Sequence, residues 1–464
     1  MTAVRRVAGR HVVTSDGLDS AVAGPLLDAV AASGGSQCGF CTPGILCRLA
    51  SLGPDPSPAK VQSALLAHLC RCTGWRGLLA AAERGEAPPA RRSDAGDRRA
   101  AIEGGTPQLT GPDAASGRGG FADDLAPLDA LVAVPDGAGG WAVGETVADA
   151  RRSAGKVQGR RSGHPASWPL ELPPGDWDLT LRTTWVEPAY LEPDASWCAP
   201  GGEPASPLGN GGAFGGKLDS AAPAAARMLA DRYGRPVRVV YSREDVVRLG
   251  PKRPPVAAGV TADGRGVLRA VRTPGLAAAV AAVAPGLTVQ EVDVAGPATS
   301  THLRAAGWAE AAVLLAGLDA RTAAASTPGQ GEATITSPAA GRATATVEVG
   351  PDGLPAAVDV AVACGDPLDE VVLRSYVTGA AHMALGWVLT EFLAVDADGQ
   401  PEDLTIRSWG ILRAKDTPPI HVTLTDPDGP PVNGSDAAFA AVAAATWIAQ
   451  GLPPDWPTRP GAYR

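Results

Sequence analysis

Two tight cysteine pairs constrain this chain more than any other feature. SQCGFCTPGILCRLA (residues 36–50) carries Cys38 and Cys41 in a CxxC, and LCRCTGWRG (69–77) carries Cys70 and Cys72 in a CxC. Four thiolates brought together can hold a tetrahedral zinc ion or an iron-sulfur cluster. Zinc knuckles usually come as two CxxC or Cys/His pairs, whereas the second pair here is CRC and Gly39, Thr73 and Gly74 keep the surrounding backbone small. Pattern alone leaves both metals open. Seven cysteines, four of them in these pairs, fit a metal site in a reducing compartment better than a disulfide framework. Cys47, Cys198 and Cys364 read as small buried apolar residues.

The residues around the pairs predict a small helical unit over 1–82. Residues 17–34 are rich in Ala and Leu and stop at Gly34-Gly35. Thr42-Pro43 is a helix start that places Cys41 at a helix entry, and Ser57-Pro58 repeats the signal before AKVQSALLAHL, where Val61, Leu65 and Leu69 share one face. Residues 83–110 (EAPPARRSDAGDRRAAIEGGTPQ within them) are polar, charged and broken by Pro and Gly, the composition of a linker.

Beyond residue 110 the pattern changes. Runs such as ALVAV (130–134), PVRVVYS (236–242), ATATVEV (343–349) and AAVDVAVAC (356–364) predict strands. Ala-rich segments such as 220–234, 305–318 and 437–451 predict helices between them. The expected fold class is therefore α+β and multidomain: an N-terminal all-helical bundle followed by a mixed α/β body, divided at about residue 320 into 111–320 and 321–464. A chain of 464 residues is long enough for several cores.

The formal charge of −9, with no basic run beyond arginine pairs, argues against nucleic acid or an anionic membrane surface as partner. No apolar run approaches the length of a membrane span and the first residues lack a secretory apolar core, so a soluble, cytoplasmic protein is expected.

GNGGAFGGKL (209–218) satisfies the spacing of a phosphate loop through Gly211, Gly216 and Lys217. Leu218 stands where such a loop needs a hydroxyl for magnesium, and no convincing strand precedes it, so the phosphate reading fails on chemistry.

QCGFCTPG followed by LCRCTGW resembles the helical 2Fe-2S domain of the xanthine dehydrogenase and aldehyde oxidase family, the molybdenum hydroxylases. The resemblance implies that Cys38, Cys41, Cys70 and Cys72 ligate one 2Fe-2S cluster and that Gln37 touches the pterin of a molybdenum-molybdopterin cofactor. GGAFGGK is similar to the family's GGGFGGK, implying that Gly212, Phe214, Gly215 and Gly216 lie beside the metal, where a bare backbone approaches closely. Weaker echoes follow in family order. FADDL and EPAYLEP resemble YADDL and EHAYLEP; LRAAGWAEA resembles FRGFGAPQA and makes Arg304 a substrate-facing arginine; PGQGEAT makes Gln330 and Gly331 pterin contacts.

The chain also departs from the family. Its molybdenum region is about half the family's length, no cysteine precedes residue 36 to serve a second cluster, and no FAD motif is present. The family's catalytic glutamate in GVGE is replaced by PPVNGSDAAFAA, where Asp436 is the available acid. Asp436 also suits the first turn of the following helix, where an acid is favoured by the dipole. Tyr376 and Met383 replace the family's Gln-rich contacts before LGW.

The resemblance implies an oxidoreductase hydroxylating a small-molecule aldehyde or N-heterocycle with water-derived oxygen. Electrons would pass through the cluster to a FAD-containing subunit or soluble acceptor, within a possible homo- or hetero-oligomer. The alternative is a non-catalytic iron-sulfur electron-transfer or scaffold subunit with a degenerate molybdenum site.

Overall fold

The computed structural model describes residues 4–53, 55–83, 93–155, 163–208, 213–323 and 328–462. Its N-terminal part is helical, as the spacing of apolar residues predicts: helices Ser20–Ala32, Thr42–Ala50, Pro58–Leu65 and Arg76–Glu83 enclose a core of Val30, Ile45, Leu49, Val61, Leu65 and Leu78. The Pro58 helix ends at Leu65, one turn earlier than expected, and Leu69 packs against the core from the following loop. Cys41 is the cap residue of its helix, with Pro43 in the first turn.

Among the described residues three four-stranded sheets follow. In the first, β1 (Leu131–Pro135) pairs antiparallel with β2 (Trp141–Gly144) and parallel with β5 (Val237–Val240), which pairs with β4 (Ala195–Cys198). The Ala222–Tyr233 helix covers it. The second runs β3 (Leu179–Arg182), β6 (Val256–Val260), β7 (Gly266–Val271), β8 (Leu287–Val292). The third runs β12 (Ile420–Thr425), β11 (Pro355–Ala363), β10 (Arg342–Val349), β9 (Gln330–Thr336).

Buried and exposed positions alternate strictly along β9 and through most of β10, so one face of the third sheet is apolar. Against it lies the Ser435–Ala449 helix, whose residues from Ala437 to Ala449 are all buried. A helix apolar on every side belongs in the middle of a core. It packs on the Glu370–Leu389 helix, where the Trp387 and Phe439 rings stack at 5.2 Å and the small alanines allow close approach.

The expected linker is corrected in part. Residues 84–92 lie outside the described set, but Asp94–Gly104 is a helix capped by the Ser93 hydroxyl and packed on the Glu370–Leu389 helix. The charge run misled because Arg99 and Glu103, one turn apart, are both buried and paired at 3.0 Å instead of solvated. The expected boundary near 320 falls inside the last turn of the Trp308–Thr322 helix. No helix among the described residues is long and apolar enough to cross a membrane.

Candidate functional site: a cysteine cluster and the adjoining cleft

The four paired cysteines come together from two loops. Cys38 and Cys41 lie just before the Thr42–Ala50 helix, and Cys70 and Cys72 lie between the Pro58–Leu65 and Arg76–Glu83 helices. Among the described residues no three His, Cys, Asp or Glu side chains surround a single ion position. The thiols fall instead into two pairs: Cys38 and Cys72 with sulfurs 3.5 Å apart, and Cys41 hydrogen-bonded to Cys70. Two iron atoms holding two thiolates each need such pairs, whereas zinc needs four donors about one point. The donor set therefore fits a binuclear cluster.

Within each pair one thiol is pulled toward its anion. The hydrogen bond from Cys41 is the first cause bringing Cys70 down to about 6, with Thr73 adding to it. The bond from Cys72 likewise lowers Cys38. The donors Cys41 and Cys72 are pushed well up by the same bonds and by burial.

The second loop presses on the Glu370–Leu389 helix. A Cβ at Gly379 would stand 1.7 Å from the Cys72 carbonyl oxygen, so only glycine allows that contact. Arg71, between the two cysteines, is clamped by Glu391 at 2.6 and 2.7 Å, with both side chains 2% exposed.

Cys38 and Cys72 also line a cleft of about 160 Å³ that continues to Phe214, Gly215, Arg304 and Asp436. That is room for one ring system, below the roughly 300 Å³ at which whole-ligand pockets begin. Gln37 lies at its cysteine end. Its side-chain amide donates to the Cys72 carbonyl at 2.9 Å and to the Ser375 hydroxyl at 3.0 Å, so both its hydrogens are spent on holding the loop.

On the opposite wall Phe214 has φ 51° and its carbonyl accepts from the Arg304 backbone N–H at 3.0 Å. Gly215 has φ 86°, and a Cβ there would meet the His302 carbonyl oxygen at 1.7 Å; one at Gly216 would meet the Tyr190 ring at 2.7 Å. These two glycines are thus required by the protein's own packing, which draws Arg304 to the cleft. Gly212 lies outside the described residues.

Arg304 and Asp436 are brought together. The guanidinium Nε stands 3.2 Å from the Asp436 carboxylate and the cation lies 5.3 Å from the centre of the Phe214 ring. Burial pushes the Asp436 carboxyl above the ordinary aspartate value, opposed by Arg304. Its side chain keeps 29% of its surface exposed.

Gln330 and Gly331 are not part of this assembly. They open β9, Gln330 is exposed, and a Cβ on Gly331 would meet the Ala445 carbonyl oxygen at 2.0 Å, in the C-terminal half of the Ser435–Ala449 helix.

Sequence reasoning missed the third wall, which comes from the segment read as linker. Glu103 is buried and its two oxygens accept the Gly434 and Ser435 N–H groups at 3.1 and 2.8 Å, capping the Ser435–Ala449 helix from another element. Thr106 and Gln108 follow it into the cleft. The Thr106 hydroxyl and Gln108 Nε2 are buried polar atoms with no hydrogen-bond partner among the described residues. Such atoms are costly unless something meets them, so the cleft's chemistry fits a polar ring of the pterin kind. The i,i+4 spacing of Arg99 and Glu103 was the readable signal for the helix; nothing in the sequence marked Gln108.

Comparisons with known proteins agree with this anatomy. Residues 14–83 match the family model described as a 2Fe-2S binding domain, and residues 226–418 match that of a molybdopterin cofactor-binding domain. The chain is 45% identical to a xanthine dehydrogenase of Emericella nidulans over 82 residues, which is 17% of this chain and 6% of that protein. It is 35% identical over 85 residues, 18% of this chain and 49% of the relative, to a probable xanthine dehydrogenase subunit of Bacillus subtilis. The chain thus spans a small part of the first of these and about half of the second.

In fold it is similar to the aldehyde oxidoreductase of Desulfovibrio gigas, with a TM-score of 0.65 at 13% identity, covering 96% of this chain and 90% of that one. The aldehyde oxidoreductase of Desulfovibrio desulfuricans gives 0.61 at 13%, covering 94% and 88%. A 2Fe-2S binding domain joined to a molybdopterin cofactor-binding domain makes the chain molybdenum-hydroxylase-like.

Proposed function

We propose that the chain is an iron-sulfur oxidoreductase of the molybdenum hydroxylase type, hydroxylating an aldehyde or N-heterocycle with water-derived oxygen. Electrons leave through the four-cysteine cluster to a FAD-containing subunit or a soluble acceptor. The observation that carries this reading is that Cys38 and Cys72 line the same cleft as Arg304 and Asp436. The molybdenum cofactor, when bound, supplies the two-electron oxidant and the water-derived oxygen.

The protein's own groups supply the rest. Asp436, with its carboxyl raised and facing the cleft, is the proton acceptor. Arg304, held by Phe214, Ser435 and Asp436, presents its guanidinium to a substrate carbonyl or ring nitrogen. Glu103 is unsuited to the base role because its oxygens are taken by Arg99 and the helix N-terminus.

The small cleft and the Arg304–Asp436 pair, which ties the only acid of the PVNGSD segment to a cation, favour a second reading: a non-catalytic iron-sulfur electron-transfer or scaffold subunit. Metal analysis with aldehyde-dependent dye reduction separates the two. Catalysis requires iron, labile sulfide and molybdenum in the protein from a cofactor-competent host, and dye reduction that falls at least about a hundredfold in Asp436→Asn. Iron and sulfide without molybdenum, and no dye reduction in either form, refute it.

A further inference from the structure

We propose that Gln108 and Thr106, from the segment between the two family-model matches, form a neutral donor wall that recognises the acceptor edge of a planar heterocycle of the pterin class. This deepens the function proposed above and rests on it for the identity of the ligand, but not for the existence of the wall.

The orientation of Gln108 is set by its neighbours. The Tyr376 hydroxyl donates to Gln108 Oε1, leaving the Nε2 end with no partner among the described residues. Burial holds the Tyr376 phenol well above its ordinary value, so it stays a donor across the working pH range. An amide oxygen that accepts from a phenol fixes which way the amide points. Tyr376 itself stands where a Gln-containing segment was expected from the family resemblance, so the carboxamide missing from that helix is supplied here from another element.

Two buried donors at one cleft are a recognition feature. Gln108 is 5% exposed and Thr106 9%, both line the cleft, and Gln108 Nε2 and the Thr106 hydroxyl lack a partner among the described residues. Leaving such groups unmet costs more than pairing them returns, so a ligand that meets them is selected against one that does not.

The charge around them decides the class. Among the described residues, the basic side chains that line the cleft, Arg304 and His302, are each engaged by a carboxylate, Asp436 at 3.2 Å and Asp219 at 3.1 Å. Neutral amide and hydroxyl donors without an uncommitted cation suit a ring carbonyl or ring nitrogen better than a phosphate. The size agrees, since about 160 Å³ holds one ring system.

A single small substitution tests the wall without deleting it. A Cβ on Gly104 would lie 1.8 Å from Gln108 Nε2, so Gly104→Ala pushes the amide aside. Gly104 closes the Asp94–Gly104 helix, where alanine is the better helix former, so the fold should not suffer.

The experiment measures, on the full-length chain, pterin released as its fluorescent oxidation product and iron per chain. It also follows binding of a free pterin without phosphate, and of inorganic phosphate, by tryptophan fluorescence. Gln108→Ala and Gly104→Ala should each weaken free-pterin binding about tenfold and lower retained pterin, with iron unchanged. Gln330→Ala, on β9, should change neither.

Wild-type pterin affinity in both Gln108→Ala and Gly104→Ala overturns the proposal, as does phosphate binding that depends on Gln108 while pterin binding does not. A chain purified without pterin that still binds free pterin through Gln108 supports the wall and counts against the catalytic reading alone.

Discussion

Glu391→Gln should cost the protein about 3–5 kcal/mol and release the cysteine loop before the rest unfolds. Arg71 stands between two cluster cysteines, and its guanidinium meets the Glu391 carboxylate through two bonds at 2.6 and 2.7 Å with both side chains 2% exposed. At about 4 Å between charge centres and an effective dielectric of roughly 20, the attraction is about 4 kcal/mol. Removing one partner of a buried pair leaves the other charge uncompensated, which costs about 3–5 kcal/mol, whereas replacing both by apolar groups is often neutral. The Arg71 Nε bond to the Pro188 carbonyl at 3.2 Å does nothing to neutralise that charge.

The assay is urea unfolding followed by two signals, visible absorption for the cysteine loop and tryptophan fluorescence for the core that holds Trp387 and Trp447. Absorption should fade at lower urea than fluorescence in Glu391→Gln and in Arg71→Met. The Arg71→Met/Glu391→Leu double variant should return to within about 1 kcal/mol of wild type. A loss below about 1 kcal/mol in Glu391→Gln would mean that the pair behaves as a solvent-exposed bridge, and the burial argument would fail.

Glu103→Ala should destabilise the core by about 3 kcal/mol or more in the same urea titration, since it strips the cap from Gly434 and Ser435 and strands the buried Arg99. His382 supplies a pH signature. Burial depresses it to about 3, so it is neutral in the fold while the unfolded chain takes up a proton below its ordinary value of 6.5. The unfolded state therefore binds more protons between those values, and stability should fall as pH drops from 6.5, by about 1.4 kcal/mol per unit, levelling below about 3. Measured between pH 7 and pH 5, that is a loss of about 2 kcal/mol, and His382→Gln should remove that component.

The sequence was most legible where chemistry is local. The cysteine spacing predicted four thiols in one place because two short loops between helices leave them little freedom. The apolar spacing of Val61 and Leu65 gave the helix that delivers the second loop. β10 and β11 were readable because each has one buried face, so residues alternate. The Glu370–Leu389 helix went unread as a helix because it is buried on nearly every side from Leu373 onward, which erases the stripe that periodicity needs.

The cleft was legible only in pieces, since its walls come from many distant stretches of chain. Arg304 and Asp436 were named separately, and their pairing at 3.2 Å required the Ser435–Ala449 helix to start where the 302–304 segment passes the glycine loop. Gln330 and Gly331 drew attention through a three-letter echo, GQG, but a glycine next to a glutamine says nothing of which surface it faces, and β9 turns Gly331 into the helix instead. Arg99, Glu103, Thr106 and Gln108 were hidden for the opposite reason. A run with this many charges and glycines reads as solvated, and only tertiary partners, the N-terminus of one helix and a tyrosine on another, turn it into a buried wall. A polar segment between two recognisable domains can thus fold into a buried wall of the cleft once tertiary partners meet its polar groups.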